Sequence, residues 1–237
     1  MKIFVTGGSG FLGTNMVEKL IQSNDVSLIN FDVNEPKNAD HLPYWVAGDI
    51  CDMKHLKNIF DDFSPDIVIH MAARTDLDGK SLPEYASNTD GVSNIIKCCN
   101  ESVYIKRVVF LSSMLVCRLG YQPKNDTDYC PTTLYGESKA IGERLVREQV
   151  RTGLDWVLLR PTSLWGPWFD IPYRTFFDSV RAGMFMMPSN LAVYRSYGFV
   201  LNSVEQIASI ASPTNNLGLN KVHYLADKSP IELSDWA

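Results

Sequence analysis

The sequence predicts an α/β fold in which a parallel β-sheet is doubly wound, with helices on both of its faces. Short apolar runs alternate along the chain with segments of helical periodicity, which is typical of this class. The first run leads straight into a glycine-rich turn, and the run 66–71 is apolar almost throughout, which indicates a strand buried on both faces. The 237 residues, 45% of them hydrophobic, can form one large domain or a main domain with a small appendage.

The glycine-rich turn lies between a predicted strand, 2–6, and a predicted helix, 11–22. Gly7 would permit the tight turn, Gly10 would let the backbone approach a pyrophosphate, and Gly13 would let the helix pack on the strand. The helix start offers free N–H groups and a positive dipole end to phosphates. This order of strand, turn and helix predicts a dinucleotide-binding domain of the Rossmann type.

Asp32 ends the second apolar run, 26–32, nineteen residues beyond Gly13. A carboxylate at this distance accepts hydrogen bonds from an adenosine ribose and repels a 2′-phosphate, which favours NAD over NADP as the cofactor. A cap on the following turn is the alternative role for Asp32.

The remaining elements continue the alternation of apolar runs and helical periodicity as far as residue 160. The predicted strands are 2–6, 26–32, 44–48, 66–71, 107–112 and 156–160, and the predicted helices are 11–22, 52–62, 84–101 and 133–151. In such a sheet the ligand lies at the carboxyl ends of the strands, so the residues just past each strand should converge on one cleft. These segments are Gly48-Asp49-Ile50, Ala72-Ala73-Arg74-Thr75, Ser112-Ser113 and Pro161-Thr162-Ser163.

Tyr135 and Lys139 share a face of the predicted helix 133–151, one turn apart. An ammonium beside a phenol favours the phenolate, and a base useful at neutral pH needs a pKa about 3 units below the usual ~10 of a phenol. A single ammonium in water cannot supply that, whereas an ammonium and a cationic cofactor in a dry cleft can. The small side chains of Ala72 and Ala73 would admit a flat ring, and Ser113 would hold the oxygen that Tyr135 deprotonates.

Beyond Arg160 the pattern loosens, because prolines and glycines interrupt it and aromatic residues crowd the segment 165–177. We therefore predict a dinucleotide-binding domain over 1–160 and a substrate-binding lobe over 161–237, with interleaved elements.

Charge and composition argue against several classes of function. The net charge of −5 leaves no basic patch for nucleic acid, and no segment approaches the length of a signal peptide or a membrane span. We therefore expect a cytoplasmic protein without nucleic-acid or membrane partners. The five cysteines form no CxxC pair and the four histidines lack ligand spacing, which predicts free thiols and no metal site.

These motifs together resemble the extended short-chain dehydrogenase/reductase family, specifically its NAD-dependent nucleotide-sugar epimerase/dehydratase group. Thr6 to Gly13 looks like the TGxxGxxG signature, and Tyr135 to Lys139 looks like YxxxK. Phe110 to Cys117 is similar to the serine-bearing strand end, and Leu159-Arg160-Pro161 with Trp165-Gly166-Pro167 resembles the RPxxxYGP turn. The resemblance is strong over residues 1–167 and thinner afterwards.

The resemblance implies roles for individual residues. Ser113, Tyr135 and Lys139 would be catalytic. Substrate would be bound by Thr75, Ser113, Ser163 and Arg195, the last through bidentate contact with a nucleotide diphosphate. The residues implied to contact the dinucleotide are Gly7, Gly10, Phe11, Leu12, Gly13, Asp32, Asp49, Ile50, Ala72, Ala73, Asn88, Tyr135, Lys139 and Pro161.

The resemblance also implies the reaction. Tyr135 would remove a proton from a sugar hydroxyl, commonly at C4, while hydride passes to NAD, and its return to the opposite face gives an epimer. Family dehydratases carry Asp-Glu directly after the Ser/Thr, where this chain has Met114 and Leu115, which cannot transfer protons. This difference favours a nucleotide-sugar epimerase.

Two other functions stay open. An NAD(P)-dependent reductase or dehydrogenase of another small carbonyl or sugar substrate would use the same Ser113, Tyr135 and Lys139. The second is a non-catalytic dinucleotide-binding regulator, although a regulator needs no poised base. Cys117, Ser163 and Asn202 depart from the family pattern, so the sugar and the nucleotide stay undetermined.

Two further expectations concern the whole assembly. The family's substrate lobe generally continues past the segment matching 229–236, so this lobe is either short or incomplete and part of the sugar pocket is expected to be missing. A homodimer through a four-helix interface of 84–101 and 133–151 is also implied. Core packing explains equally well the apolar residues on these helices, which are Val92, Ile95, Ile96, Leu145 and Val146.

Overall fold

A computed structural model describes residues 1–23, 25–169, 173–186, 192–216 and 218–236. The strands in this part of the chain are β1 (Lys2–Thr6), β2 (Ser27–Asp32), β3 (Trp45–Ala47), β4 (Ile67–His70), β5 (Arg107–Leu111), β6 (Asp155–Pro161), β7 (Ser163–Trp165), β8 (Tyr194–Arg195), β9 (Tyr197–Phe199), β10 (Lys221–Leu225) and β11 (Ile231–Glu232). The helices are α1 (Phe11–Ile21), α2 (Met53–Phe63), α3 (Ala86–Glu101), α4 (Leu134–Gln149), α5 (Tyr173–Arg181), α6 (Val200–Ala211) and α7 (Leu233–Trp236).

Within the described residues, seven strands form one parallel sheet in the order β3-β2-β1-β4-β5-β6-β10. Phe4 of β1 lies opposite Ile29 of β2 on one side and Val68 of β4 on the other. The strand order reverses between β1 and β4, and ligands bind at the carboxyl ends of strands that flank such a reversal. The doubly wound parallel sheet is therefore confirmed, and by this rule a ligand crevice is expected at β1 and β4.

The six predicted strands are present, each within one residue of its predicted ends, and the four predicted helices are present within two residues. The sequence does not predict β10, because Lys221 and His223 interrupt its apolar residues. An edge strand is paired on one side and half covered, so it tolerates this alternation.

The two faces of the sheet carry separate cores, because alternate residues of each strand point to opposite faces. Phe4 packs with residues of α2, α3 and α4, whereas Ile3 and Val5 pack with residues of α1 and α6. Helix α6, which the sequence analysis did not predict, buries Val204 and Ile207 in the second core. Residues beyond 160 therefore help to cover the sheet, and the division at that residue stays a prediction.

The apolar residues considered for a four-helix dimer interface mostly serve the core. Val92, Ile95, Ile96 and Val146 are buried in the core on the side of α2, α3 and α4, and Leu145 packs against it. Pairing through α3 and α4 stays a prediction, without support from these side chains. The five cysteines are free thiols. In the part of the chain that the structure describes, no helix combines the length and the hydropathy that a bilayer crossing requires.

Candidate functional site

Gly7 stands at the point where β1 and β4 end side by side. Its φ is +75°, in the left-handed region that glycine adopts readily. A Cβ on Gly7 would also collide with the backbone of Ala72, which follows β4. Both the backbone angle and the close approach of the two strand ends therefore require glycine at this position.

The other two glycines of the signature have different surroundings. A Cβ on Gly13 would collide with the Gly7 carbonyl group and with Gly8, so the packing of α1 on the turn needs glycine. A Cβ on Gly10 would meet, among the described residues, only the Gly7 carbonyl oxygen, at 3.4 Å. The space beside Gly10 suits a backbone that a phosphate approaches.

Helix α1 begins at Phe11, directly after Gly10. Its first turn holds no acidic residue, and no side chain in the described part of the chain caps it. Its first N–H groups and its dipole together favour an anion. The Phe11 ring packs against Phe169, with centroids 4.4 Å apart, and Asn15 Nδ2 donates to the Pro167 carbonyl group at 3.0 Å. The segment 166–169 thus packs against the beginning of this helix.

The buried carboxylate of Asp32 is engaged by two backbone N–H groups. Ser9 donates to it at 3.0 Å and Asn34 at 2.9 Å. Asp32 therefore caps the turn after β2, as the alternative interpretation held, and it also ties the glycine turn to that strand. Its contact with a ribose stays a prediction.

The other residues predicted to contact the dinucleotide follow the same strand ends. Asp49 is exposed after β3, where its carboxylate accepts the Cys51 N–H at 2.8 Å, and Ile50 is buried. The half-buried members of this set are Leu12, Ala72, Ala73 and Pro161. Their common position at the carboxyl edge agrees with the prediction that they line one cleft, and the contacts themselves stay predictions.

Asn88 of α3 connects the segment after β4 to helix α4. Its side-chain oxygen accepts the Arg74 N–H at 2.9 Å, and its Nδ2 donates to the Arg74 carbonyl group and to Ser138 Oγ, each at 2.9 Å. Ser138 Oγ donates in turn to the Tyr135 carbonyl oxygen at 2.7 Å. Asn88 has 1% of its surface exposed, and this chain of bonds connects it to the backbone of Tyr135. Its predicted contact with a dinucleotide is untested.

Tyr135 and Ser113 meet at the carboxyl end of β5. The side chain of Ser113 acts on the Tyr135 phenol, and both residues are buried. The tyrosine lies in the first turn of α4, which Thr133 caps by accepting the Gly136 N–H at 3.0 Å. Burial raises the pKa of Tyr135, and the polar side chain of Ser113 opposes this in part. The arrangement places a phenol and a hydroxyl group where one substrate oxygen could contact both.

Lys139 is buried one turn beyond Tyr135, and its Nζ donates to the Leu111 carbonyl oxygen at 2.6 Å. Burial lowers the pKa of this ammonium to about 8, and Glu143 opposes that change. With Lys139 as its neighbour, Tyr135 still has a raised pKa. The reason is that surroundings of low polarity penalise the phenolate, while the ammonium is held by a backbone carbonyl.

His70, at the end of β4, is a buried neutral imidazole. Its Nδ1 forms a hydrogen bond of 2.7 Å with Thr6 Oγ1. Burial, with a further contribution from the charge of Lys139, lowers the pKa of His70 to about 3. His70 therefore ties β4 to the last residue of β1.

We expect His70 to make the fold less stable as the pH falls from about 6.5 toward about 3. In this window the unfolded chain binds a proton at His70 and the folded chain does not, so each pH unit lowers the free energy of unfolding by up to about 1.4 kcal/mol. His70→Gln should remove this part of the slope in urea titrations at several pH values. His55→Gln, at an exposed histidine, should keep the wild-type slope. An unchanged slope in His70→Gln would contradict the assignment.

The residues predicted to bind substrate lie after β4 and in the C-terminal part. Thr75 and Arg195 are exposed, and Ser163 is half-buried. The Ser163 N–H donates to the Ser196 carbonyl group at 3.3 Å, so β7 and the end of β8 are neighbours. The structure thus brings Ser163 close in space to the segment that carries Arg195.

The sequence analysis missed Glu143, which is buried next to the predicted catalytic residues. Its carboxylate accepts hydrogen bonds from Arg160 and Ser112. Two signals pointed to it. Glu143 lies one helical turn beyond Lys139, and Arg160 ends an apolar strand, where a buried cation needs an anionic partner.

This chain is similar in sequence to known proteins. A sequence model of the NAD dependent epimerase/dehydratase family matches residues 3–213. A 3-beta-hydroxysteroid dehydrogenase of Mycolicibacterium neoaurum is 26% identical over 259 aligned positions, which cover 100% of this chain and 68% of that protein. A UDP-glucose 4-epimerase of Vibrio cholerae is 29% identical over 77% of this chain and 57% of its own length.

Solved structures share the fold. The Bordetella bronchiseptica enzyme WbmG, solved in complex with NAD, superposes with a TM-score of 0.81 at 24% identity, over 99% of this chain and 75% of that one. The chain spans between about half and two thirds of the length of the curated relatives that it matches.

Proposed function

This chain belongs to the NAD-dependent epimerase/dehydratase family, and from that premise we propose that it uses NAD to epimerise a nucleotide sugar at C4. The observation that carries the proposal is the pairing of Ser113 with Tyr135, both buried at the carboxyl edge of the sheet beside Lys139. A phenol and a hydroxyl group in this arrangement can bind and deprotonate one alcohol.

The residues of the glycine turn fit NAD. The backbone beside Gly10 has room for a phosphate, and the start of α1, which no described side chain caps, favours its charge. Asp32 would accept hydrogen bonds from the ribose hydroxyl groups, and its negative charge disfavours a 2′-phosphate. NAD, when bound, supplies the acceptor for hydride from the sugar carbon and the donor for its return.

Residues of this chain transfer the proton of the sugar hydroxyl group. Ser113 binds the oxygen of the sugar hydroxyl group, and Tyr135 Oη takes its proton and later gives it back. Burial raises the pKa of Tyr135, so the phenolate requires positive charge close by. Lys139 supplies one such charge, and the cationic nicotinamide of an oxidised cofactor fits the need for another.

The segment after Ser113 supports epimerisation over loss of water. A dehydratase needs groups that protonate the departing hydroxyl and remove a second proton, and Met114 and Leu115 can do neither. Arg195, exposed on β8, has the guanidinium that suits the diphosphate of a nucleotide sugar.

Incubation of the purified protein with NAD and a panel of UDP-, GDP- and dTDP-hexoses tests the proposal. Because an epimer has the mass of its substrate, the readout is ¹H NMR of the sugar ring, with mass spectrometry to detect loss of water. We expect an inverted C4 centre at unchanged mass for at least one sugar. Loss of water, or no conversion of any sugar, would overturn the proposal.

A second candidate is oxidation of a hydroxysteroid or a similar alcohol with net formation of NADH. The observation that favours it is the alignment of the whole chain with a 3-beta-hydroxysteroid dehydrogenase. The same preparation, given 3β-hydroxysteroids and NAD, would then show growing absorbance of NADH, which an epimerase does not accumulate.

A further inference from the structure

The carboxylate of Glu143 is the centre of a buried cluster that joins three parts of the fold. Arg160 Nε and Nη2 donate to its two oxygens at 2.9 and 2.8 Å. Ser112 Oγ donates at 2.5 Å, and the Tyr129 hydroxyl group donates at 3.1 Å. Both Glu143 and Arg160 have 1% of their surface exposed. Four donors thus engage one carboxylate that water does not reach.

Two residues of this cluster lie next to residues of the proposed active site. Glu143 lies one helical turn beyond Lys139 on α4. Ser112 immediately precedes Ser113, at the end of β5. The bonds therefore fix the distance between the helix that carries the proposed base and the strand end that carries its partner hydroxyl group.

The charges inside this region need balancing. Burial lowers the pKa of Lys139, and the carboxylate of Glu143 opposes that change. Glu143 also neutralises the permanent positive charge of Arg160. The groups around Lys139 include His70 from β4, Asn88 from α3, and Ser112 with the Leu111 carbonyl group from β5. Tyr135 precedes Lys139 on its own helix, and Tyr224 of β10 bonds to Arg160. His70 is neutral above about pH 3.

We propose that Glu143 is a positioning residue for the reaction: it fixes α4 against the ends of β5 and β6 and keeps the ammonium form of Lys139 by balancing Arg160. This role rests on the proposed function of Tyr135 and Lys139. The proposed role differs from that of a structural ion pair. If the pair of Glu143 and Arg160 only supported the fold, removal of the Glu143 charge would leave the ionisation of Lys139 unchanged.

Removing the charge of Glu143 has a defined sign. Arg160 stays protonated, so Lys139 would lie near an unbalanced buried cation and would lose its proton more easily. Wild-type activity should fall as the pH rises through the Lys139 pKa of about 8. In Glu143→Gln this alkaline loss should begin at a pH lower by about 1 unit, so turnover relative to the wild type should be about tenfold lower at pH values above both midpoints.

The test compares Glu143→Gln with Glu137→Gln, an exposed glutamate on the same helix. The pH profile of turnover is measured for both, and the ionisation of Lys139 is followed by NMR of protein labelled at lysine ¹³Cε, with Lys139→Met to assign the signal. We expect the Lys139 titration and the alkaline limb to move together in Glu143→Gln and to stay unchanged in Glu137→Gln. An unmoved Lys139 titration would overturn the proposal.

A double variant keeps the test decisive if Glu143→Gln does not fold. Glu143→Gln with Arg160→Met removes both charges of the pair, so no buried cation is left unbalanced. In this double variant the Lys139 titration should return toward its wild-type midpoint. A midpoint about 1 pH unit below that of the wild type, or as low as that of the single variant if it folds, would contradict the role given to Arg160. The NMR titration needs no substrate, so it separates failure of this role from failure of the proposed function.

Discussion

Tyr135→Phe is expected to lower turnover by about 10²–10⁴-fold, the usual contribution of a positioned general base. The substitution removes the oxygen that would take the substrate proton and leaves the ring in place. That ring packs near Tyr85, with centroids 6.4 Å apart, so the surroundings of the site should be retained. The measurement is turnover of whichever nucleotide sugar the NMR panel identifies, together with the NAD content of the purified protein.

Tyr121→Phe is the matched control for this substitution. It removes a phenol that bonds to Asp128 at 2.9 Å, outside the proposed site. We expect its turnover to stay near that of the wild type. NAD should remain bound in both variants, since neither substitution alters the glycine turn. Undiminished turnover in Tyr135→Phe would remove Tyr135 from the mechanism.

Gly7→Ala is expected to cause the second large effect, a loss of about 2–5 kcal/mol in the free energy of unfolding. One part, about 1–2 kcal/mol, comes from a side chain in the left-handed region, and overpacking against the Ala72 backbone adds about 1–3 kcal/mol. Urea denaturation of the purified variants measures both parts together.

Gly153→Ala separates the two parts of that loss. Gly153 has a φ of +87°, and no described heavy atom outside its chain neighbours lies within 4 Å of a Cβ placed there. It should therefore lose only the conformational part, about 1–2 kcal/mol. Equal losses in the two variants would show that the strand ends at Gly7 and Ala72 can separate without cost.

Local signals carried most of the fold prediction. The apolar runs of β1 and β4 and the glycine spacing after β1 depend on neighbours in the chain, so the sequence shows them directly. Edge strand β10 and helix α6 were not predicted from the sequence, because their apolar residues pack against a sheet that is assembled from distant segments of the chain. A short amphipathic run can be read as a helix or as a strand until the surface that it packs against is known.

The features of the candidate site also fall into those that local sequence shows and those that depend on distant segments. The sequence by itself determined the glycine turn, the acid at the end of β2, and the spacing of Tyr135 and Lys139, because each depends on the local geometry of a turn, strand or helix. Only the tertiary structure decided that burial raises the pKa of Tyr135, that a backbone carbonyl holds Lys139, and that Glu143 joins Arg160. Ionisation depends on the polarity and charge of everything nearby, and in a folded chain most of those groups come from far along the sequence.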